Sequence, residues 1–163
     1  MSPEINSILY ASELGESARP AFVLAAKEAF KHNAQITFLN VVEPASDATE
    51  ALLDGYMSHG SVQEMRQGGM SKLKALMESR IEQFYDEELQ NRLPLQHRPL
   101  ARIEEGPAAE TIIQVADELN VDLIVMGTRT RTHSALGRFF VGSTAQSVLQ
   151  LCDRPMLIVP LKS

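Results

Sequence analysis

Short apolar runs alternate with helical patterns along the chain, and this alternation restricts the fold more than any other feature of the sequence. Five runs have the length and the β-branched or aromatic content of strands, namely residues 6–11, 35–42, 97–104, 121–126 and 156–159. A strand, a helix and a parallel strand in succession form a right-handed crossover. The order β-α-β-α-β-α-β-α-β therefore predicts an open, doubly wound α/β sheet in one domain spanning residues 1–163.

Helical spacing fills the intervals between these strands. The predicted helices are 17–32, capped by Ser17; 61–93, weakened by a kink or break at Gly68-Gly69; 107–119, ended by Asn120; and 143–151. The first helix has Phe22, Ala25, Ala26, Ala29 and Phe30 on one face. Residues 43–60 are predicted to form an irregular loop, with a short helical piece around 48–53 as an alternative. Pro99 cannot donate to a ladder, which favours a sheet edge for the third strand.

Composition excludes several classes of protein. The chain has 15 Lys+Arg against 21 Asp+Glu, a formal charge of −6, which argues against non-specific nucleic-acid binding. No apolar run approaches the roughly 20 residues needed to span a bilayer, and residues 1–6 lack the pattern of a signal peptide. Cys152 is the single cysteine and the four histidines are scattered, so we expect a cytoplasmic protein without a disulfide, a tightly bound metal or a redox cofactor.

The segment after the fourth predicted strand has the opposite sign of charge. That strand ends at Met126-Gly127, and a predicted loop from Thr128 to Val141 contains three arginines but no acid: Arg129, Arg131 and Arg138. Gly142-Ser143-Thr144 then begins a helix. A cationic loop that leads to helix N–H groups predicts an anion site, most naturally for phosphate. In an open sheet such a site lies at the carboxyl ends of the strands.

Several motifs together resemble the universal stress protein family over nearly the whole chain. They are the Gly127 to Gly142-Ser143 segment, the run 152–160, the helix start at Gly106-Pro107, and the first strand followed by Glu13 in place of the usual Asp. The resemblance implies an adenine nucleotide alpha hydrolase-like sheet with strand order 3-2-1-4-5, and a bound ATP or AMP, with or without Mg²⁺. It implies that adenine contacts Ala11, Ser12, Glu13 and Val41, that Met126, Gly127 and Arg129 line the ribose and phosphate path, and that Gly142, Ser143 and Thr144 hold phosphates.

One departure from the family pattern bears on that ligand. The family's motif is Gly-x2-Gly-x9-Gly-Ser/Thr, but Thr130 and Thr132 stand at the two positions that counting gives for the second glycine, and the loop is two residues longer. A threonine Cβ restricts the backbone where glycine allows close approach to phosphate. Simpler roles also exist for Gly127 as a tight turn, for Ser143 and Thr144 as a helix cap, and for Arg129 as a solvated charge.

Three functions follow as hypotheses. The first is a stress-response module that binds adenine nucleotide and acts through conformation and partner choice rather than as an enzyme. The second is a family member that binds no nucleotide and acts through protein partners, its dimer surface and residues 43–60. The third, a weak ATP hydrolase or a nucleotidyl-transfer enzyme, is disfavoured because such enzymes need a histidine pair or a Gly-rich Ser loop after the first strand, and Ser12-Glu13-Leu14-Gly15 offers neither. The apolar strand from Met156 to Val159 is predicted to pair with its twin in a homodimer.

Overall fold

The computed structural model describes residues 4–11, 19–42, 61–84, 86, 95–133, 138–140 and 143–162. The predicted loop 43–60 and the positions of Ser12, Glu13 and Gly142 lie outside these residues. Within the described ranges the elements are, in chain order, β1 (Ser7–Ala11), α1 (Arg19–His32), β2 (Gln35–Val42), α2 (Ser61–Phe84), β3 (Leu100–Glu105), α3 (Ala108–Leu119), β4 (Leu123–His133), β5 (Arg138–Phe140), α4 (Ser143–Leu151) and β6 (Met156–Lys162).

Five of the strands form the predicted parallel sheet. Their spatial order is β3-β2-β1-β4-β6, which is 3-2-1-4-5 when the parallel strands are counted along the chain. The short β5 is a sixth strand, and it pairs antiparallel with the last three residues of β4. The open, doubly wound α/β fold is therefore confirmed, with β3 and β6 at the two edges of the described parallel sheet.

The cationic segment is not the loop that the sequence predicts. β4 continues past Gly127 to His133, and Arg138 begins β5. Residues 124–130 pair with β6, and residues 131–133 then pair with β5. The prediction was wrong because Gly127 was interpreted as the end of the strand. The alternate threonines at 128, 130 and 132 are good strand formers. The partner strand of Thr128 and Thr130 is β6, which lies about thirty residues downstream.

Two further predictions need correction. α2 runs without a break through Gly68 and Gly69. Two glycines cost a helix only about 1 kcal/mol each, and burial of Met77 and Ile81 farther along α2 offsets that cost. In α1 the predicted face is confirmed for Ala25, Ala26 and Ala29, which are buried, and for Phe22, which packs against the core, but Phe30 is 41% exposed.

The core forms two layers, one on each face of the sheet. Strand residues alternate between the faces, so the central strands are apolar on both. The layer under α1 and α2 consists mainly of Ile8, Tyr10, Ala25, Ala29, Ile36, Phe38, Met77 and Val125. The layer under α3 and α4 consists mainly of Leu9, Leu39, Ile112, Val115, Ala116, Ile124, Met126 and Val148. Helices that follow β1 and β2 thus cover one face, and those that follow β3 and β4 cover the other.

Hydrogen bonds and an ion pair stabilise the amino ends of the central strands. A carboxylate oxygen of Asp122 accepts hydrogen bonds from the backbone N–H groups of Asn6 (2.8 Å) and Ser7 (3.1 Å). Asn120 ends α3 in the left-handed conformation with φ 50°, as predicted for the residue that closes this helix. Arg154, in the turn before β6, donates from Nε to the carbonyl of Val121 at 2.8 Å and also pairs with Asp117. These contacts fix the register at the end of the sheet opposite the candidate site.

Candidate functional site

The carboxyl ends of β1 and β4 meet at the point where the sheet changes winding direction. Ala11, the last residue of β1, lies opposite Met126 in the parallel register. Their side chains are 8% and 4% exposed and lie in the same buried cluster. The helix that follows β1 covers one face and the helix that follows β4 covers the other, so a crevice between them is the place where ligands bind in such sheets.

The first turn of α4 lies at this same edge. Ala145, near the beginning of α4, is 2% exposed and belongs to the buried cluster of Ala11 and Met126. Ser143 is the first residue of the helix, and Thr144 is partly exposed. The first N–H groups of a helix have no partner within the helix, and the macrodipole adds roughly half a positive charge there. The fold thus brings the N–H groups of a helix start to the strand ends.

Val41 is a candidate residue at the end of β2. It is partly buried against the cluster that contains Ala11 and Met126, and it lies opposite Glu104 of β3. The carbonyl of the next residue, Val42, accepts a hydrogen bond from the N–H of Gly106 at 3.0 Å. β2 therefore continues past Leu39, the residue paired with the last residue of β1, and Val41 lies beyond that pair.

Gly127 has a packing role that the sequence did not indicate. A Cβ on this residue would lie 2.7 Å from Cδ1 and 3.2 Å from Cγ of Leu161, and 3.3 Å from Cβ of Ala21. The space that a side chain would fill is already occupied by β6 and α1. Whether or not a ligand binds, glycine is required here for α1 and β6 to approach β4 this closely.

Arg129 lies two residues beyond Gly127 in β4. Its Cα partner in β6 is Leu161, which is buried in the layer under α1 and α2. Met126 lies in the layer under α3 and α4, and strand alternation places Thr128 on the same face. Thr128 is 4% exposed, next to the candidate residues, and the sequence analysis did not select it. Its signal was only that of a β-branched residue after a strand.

Three arginines whose side chains are described are paired with carboxylates. Arg102 donates to Glu104 at 2.7 Å and also pairs with Glu118. The hydrogen bond to Glu104 is the main reason that the pKa of Arg102 is raised above its ordinary value, although burial acts in the opposite direction. The pKa of Arg154 is raised chiefly by its hydrogen bond to Asp117. Arg98 lies 3.3 Å from Glu82. These charges stabilise contacts between elements of the fold and are balanced without a ligand.

Within the part of the chain that the structure describes, no three His, Cys, Asp or Glu residues come together as metal ligands. No described helix combines the length and the apolar character needed to cross a membrane.

The fold and its crevice define an open-sheet α/β protein with a candidate ligand site at the switch point. The chain belongs to the universal stress protein family, whose model matches residues 4–160. It is 28% identical over 153 residues to a universal stress protein of Thermus aquaticus encoded in the QAH/OAS sulfhydrylase 3′ region, covering 94% of this chain and 97% of that protein.

Solved structures agree with this assignment. Universal stress protein UspA from Lactobacillus plantarum superposes with a TM-score of 0.68 at 23% identity, over 97% of this chain and 99% of that one. A universal stress protein in complex with cAMP superposes with a TM-score of 0.61 at 17% identity, over 98% and 99% of the chains. At these identities the structural similarity establishes the shared fold.

Proposed function

We propose that this protein is an adenine-nucleotide-binding module of the stress response. The observation that carries the proposal is the convergence of Ala11, Met126 and the first turn of α4 at one edge of the sheet. Family membership supports it, as does a relative of the same fold whose structure is a complex with cAMP. A flat apolar base fits between strand ends, and a phosphate fits the N–H groups of a helix start.

The proposed residues divide between the two parts of a nucleotide. Adenine contacts Ala11 and Val41, with Ser12 and Glu13 continuing from β1. Ribose passes Met126, Gly127 and Arg129, and phosphate meets Gly142, Ser143 and Thr144. We propose binding coupled to conformation, with at most slow hydrolysis of ATP. Mg²⁺ would accompany a polyphosphate through the phosphate oxygens rather than through a protein cage.

Nucleotide content tests the proposal directly. Protein purified without added nucleotide is heat-denatured, and the supernatant is chromatographed for adenine nucleotides. We expect either released nucleotide or, for a site that empties during purification, a rise in the thermal midpoint on addition of millimolar AMP or ATP with Mg²⁺, because a ligand that binds only the native state stabilises it. GMP at the same concentration is the matched control. No release together with no shift would overturn the proposal.

A second function is favoured by one specific observation. The segment in which the family motif would place a phosphate-binding glycine is a paired strand, with Thr130 opposite Lys162 of β6 and Thr132 opposite Phe139 of β5. Backbone that is engaged in a ladder is less free to wrap a phosphate chain than a glycine loop is. The alternative is therefore a family member that acts through protein contacts, beginning with a second copy of itself.

The edge strand β6 is the surface that we propose for this contact. In the described sheet β6 hydrogen-bonds to β4 alone. The N–H of Ile124 donates to the carbonyl of Pro155 at 3.0 Å, so alternation directs the N–H groups of Met156 and Ile158 away from β4. Pro160 follows at the next outward position, where its missing N–H removes no bond to β4. The other edge, β3, is preceded by Pro99 and has charges at Arg102, Glu104 and Glu105.

Substitution at Ile158 tests the proposed homodimer. Ile158→Ala and Ile158→Pro both remove the apolar side chain, but only proline also removes the outward N–H. We expect light scattering after size exclusion to give a dimer for the parent, a weakened dimer for Ile158→Ala and a monomer for Ile158→Pro. Circular dichroism establishes that each variant is folded. A parent that is monomeric at 100 μM, or a folded Ile158→Pro variant that dimerises as the parent does, would contradict the proposed contact.

A further inference from the structure

We infer that Ala108, the first residue of α3, closes the base end of the candidate site and so limits the size of the base that the site accepts. The inference rests on the proposed function and deepens it, since it assigns a further residue to the same nucleotide site. Three features of the fold lead to this assignment: the recessed end of β1, the turn that begins α3, and the exposure of Ala108.

The end of β1 is recessed between two longer strands. Ala11, the last residue of β1, lies opposite Leu39 of β2 and Met126 of β4. β2 continues to Val42 and β4 continues to His133, so both extend past Ala11. Adjacent strands are about 4.8 Å apart, which places β2 and β4 about 10 Å from each other on the two sides of β1. This notch beyond Ala11 is wide enough for a flat base that enters edge-on.

The turn that begins α3 is held against the end of β2. The N–H of Gly106 donates to the carbonyl of Val42 at 3.0 Å. Gly106 has φ 155°, and a Cβ on it would lie 2.6 Å from Oγ1 of Thr111, which is 8% exposed. Thr111 thus occupies the space that a side chain at position 106 would need, and the turn is packed on the side of α3 as well as on the side of β2. Ala108 follows two residues later and is therefore placed next to the end of β2, beside the notch.

Ala108 lies on the inner stripe of α3 but is not buried. Ile112 and Val115, one and two turns farther along, are 3% and 2% exposed in the layer that contains Ala11 and Met126. Helical spacing puts Ala108 on the same side of α3 as these two residues, yet Ala108 is partly exposed. The inner stripe thus extends one turn beyond the buried layer, and Ala108 faces the space past the strand end at Ala11.

These positions fit the base of a nucleotide whose phosphate lies at the start of α4. Ala145, near that start, belongs to the same buried layer as Met126, and Val41 of β2 packs against this layer. A nucleotide that runs from α4 toward β2 crosses the notch and brings its base between Val41 and Ala108. Both side chains are apolar, which suits the faces of a purine ring. The methyl group of Ala108 leaves room there that a larger side chain would fill.

Binding measurements on substituted proteins test this assignment. Ala108→Leu should weaken the binding of AMP by about tenfold or more in isothermal titration of the nucleotide-free protein, because the added side chain takes the room of the base. Ala75→Leu makes the same change at an exposed position of α2 and should leave the affinity within about twofold of the parent value. Ala108→Ser adds much less volume and should weaken AMP less than Ala108→Leu does. Circular dichroism and thermal midpoints establish that the variants are folded.

Two outcomes of the titrations would overturn the inference while leaving the proposed function intact. The first is a folded Ala108→Leu variant that binds AMP as tightly as the parent does. The second is an equal loss in Ala108→Leu and Ala108→Ser, which would show that the size of this side chain is not what matters. A parent that binds no AMP would remove the proposed function and the inference with it.

A photoreactive base locates the contact without any substitution, and it decides the matter if Ala108→Leu does not fold. The parent protein is irradiated with 8-azido-AMP, which carries its reactive group on the purine ring, and labelled residues are identified by mass spectrometry of tryptic peptides. We expect label on the first turn of α3, within residues 107–111, and we expect excess AMP to prevent it. Label that excess AMP prevents but that is confined to other segments would overturn the inference.

Discussion

Replacing Gly127 with alanine is expected to lower the free energy of unfolding by about 1–3 kcal/mol, the usual cost of adding a methyl group to a filled site. The new Cβ would lie 2.7 Å from Cδ1 of Leu161 and 3.3 Å from Cβ of Ala21. The first of these atoms is at the end of a side chain that can rotate, whereas the second is attached directly to the backbone of α1. The loss is measured by urea denaturation, with the m-value checked for constancy.

Leu161 supplies the control for this prediction. Leu161→Ala alone should destabilise the fold by about 2–5 kcal/mol, because the side chain is 6% exposed in the core. The double variant should be more stable than the sum of the two losses predicts, by about 0.5–3 kcal/mol, since the two residues compete for one space. If Gly127→Ala has the stability of the parent and only loses nucleotide affinity, then Gly127 contacts the ligand and the packing role is refuted.

Phe38→Ala is expected to lower the free energy of unfolding by about 3–5 kcal/mol, the range found when buried aromatic residues are truncated. Phe38 is 1% exposed. Its ring lies 5.3 Å from the ring of Tyr10 in an edge-to-face arrangement and stacks on that of Phe22 at 4.6 Å. Truncation therefore removes two aromatic contacts and leaves a cavity between the sheet and α1. Thermal and urea unfolding measure the loss.

Phe30 is the matched control for Phe38, since the two residues have the same side chain and differ in burial. Phe30 is 41% exposed on α1, so Phe30→Ala should change the free energy of unfolding by less than about 1 kcal/mol. Equal losses from the two truncations would contradict the assignment of the apolar face of α1. Phe38→Leu should restore most of the stability lost in Phe38→Ala, because it refills most of the cavity.

The sequence was sufficient for those parts of the fold that depend on local patterns. Local patterns predicted the correct order of elements, as in the apolar runs at 35–42 and 156–159 and the apolar stripe of α3. Asn120 also ended its helix in the expected left-handed conformation. The course of residues 128–133 was not predictable in the same way. Their pairing depends on β6 and β5, which lie downstream, and glycine after an apolar run is a common strand end.

The candidate site was likewise predictable from the sequence only in part. The meeting of Ala11 with Met126 followed from the rule that the ends of parallel strands gather at one edge. The packing of Gly127 did not follow, because it depends on how closely Leu161 approaches. The pairing of Thr130 with Lys162 also did not follow, because a segment interpreted as a loop has no partner strand.

The position of β4 has a consequence for synthesis of the chain. β4 lies beside β1 in the sheet, although β2 and β3 come before it in the sequence. While a ribosome is still making residues 106–122, β1, β2 and β3 can already pair, and the apolar edge Ser7–Ala11 of β1 is then uncovered. Asp122, whose carboxylate accepts hydrogen bonds from the N–H groups of Asn6 and Ser7, is made only at the end of that interval. The nascent chain therefore passes through a stage at which β1 can pair wrongly with another chain, and chaperone protection matters most there.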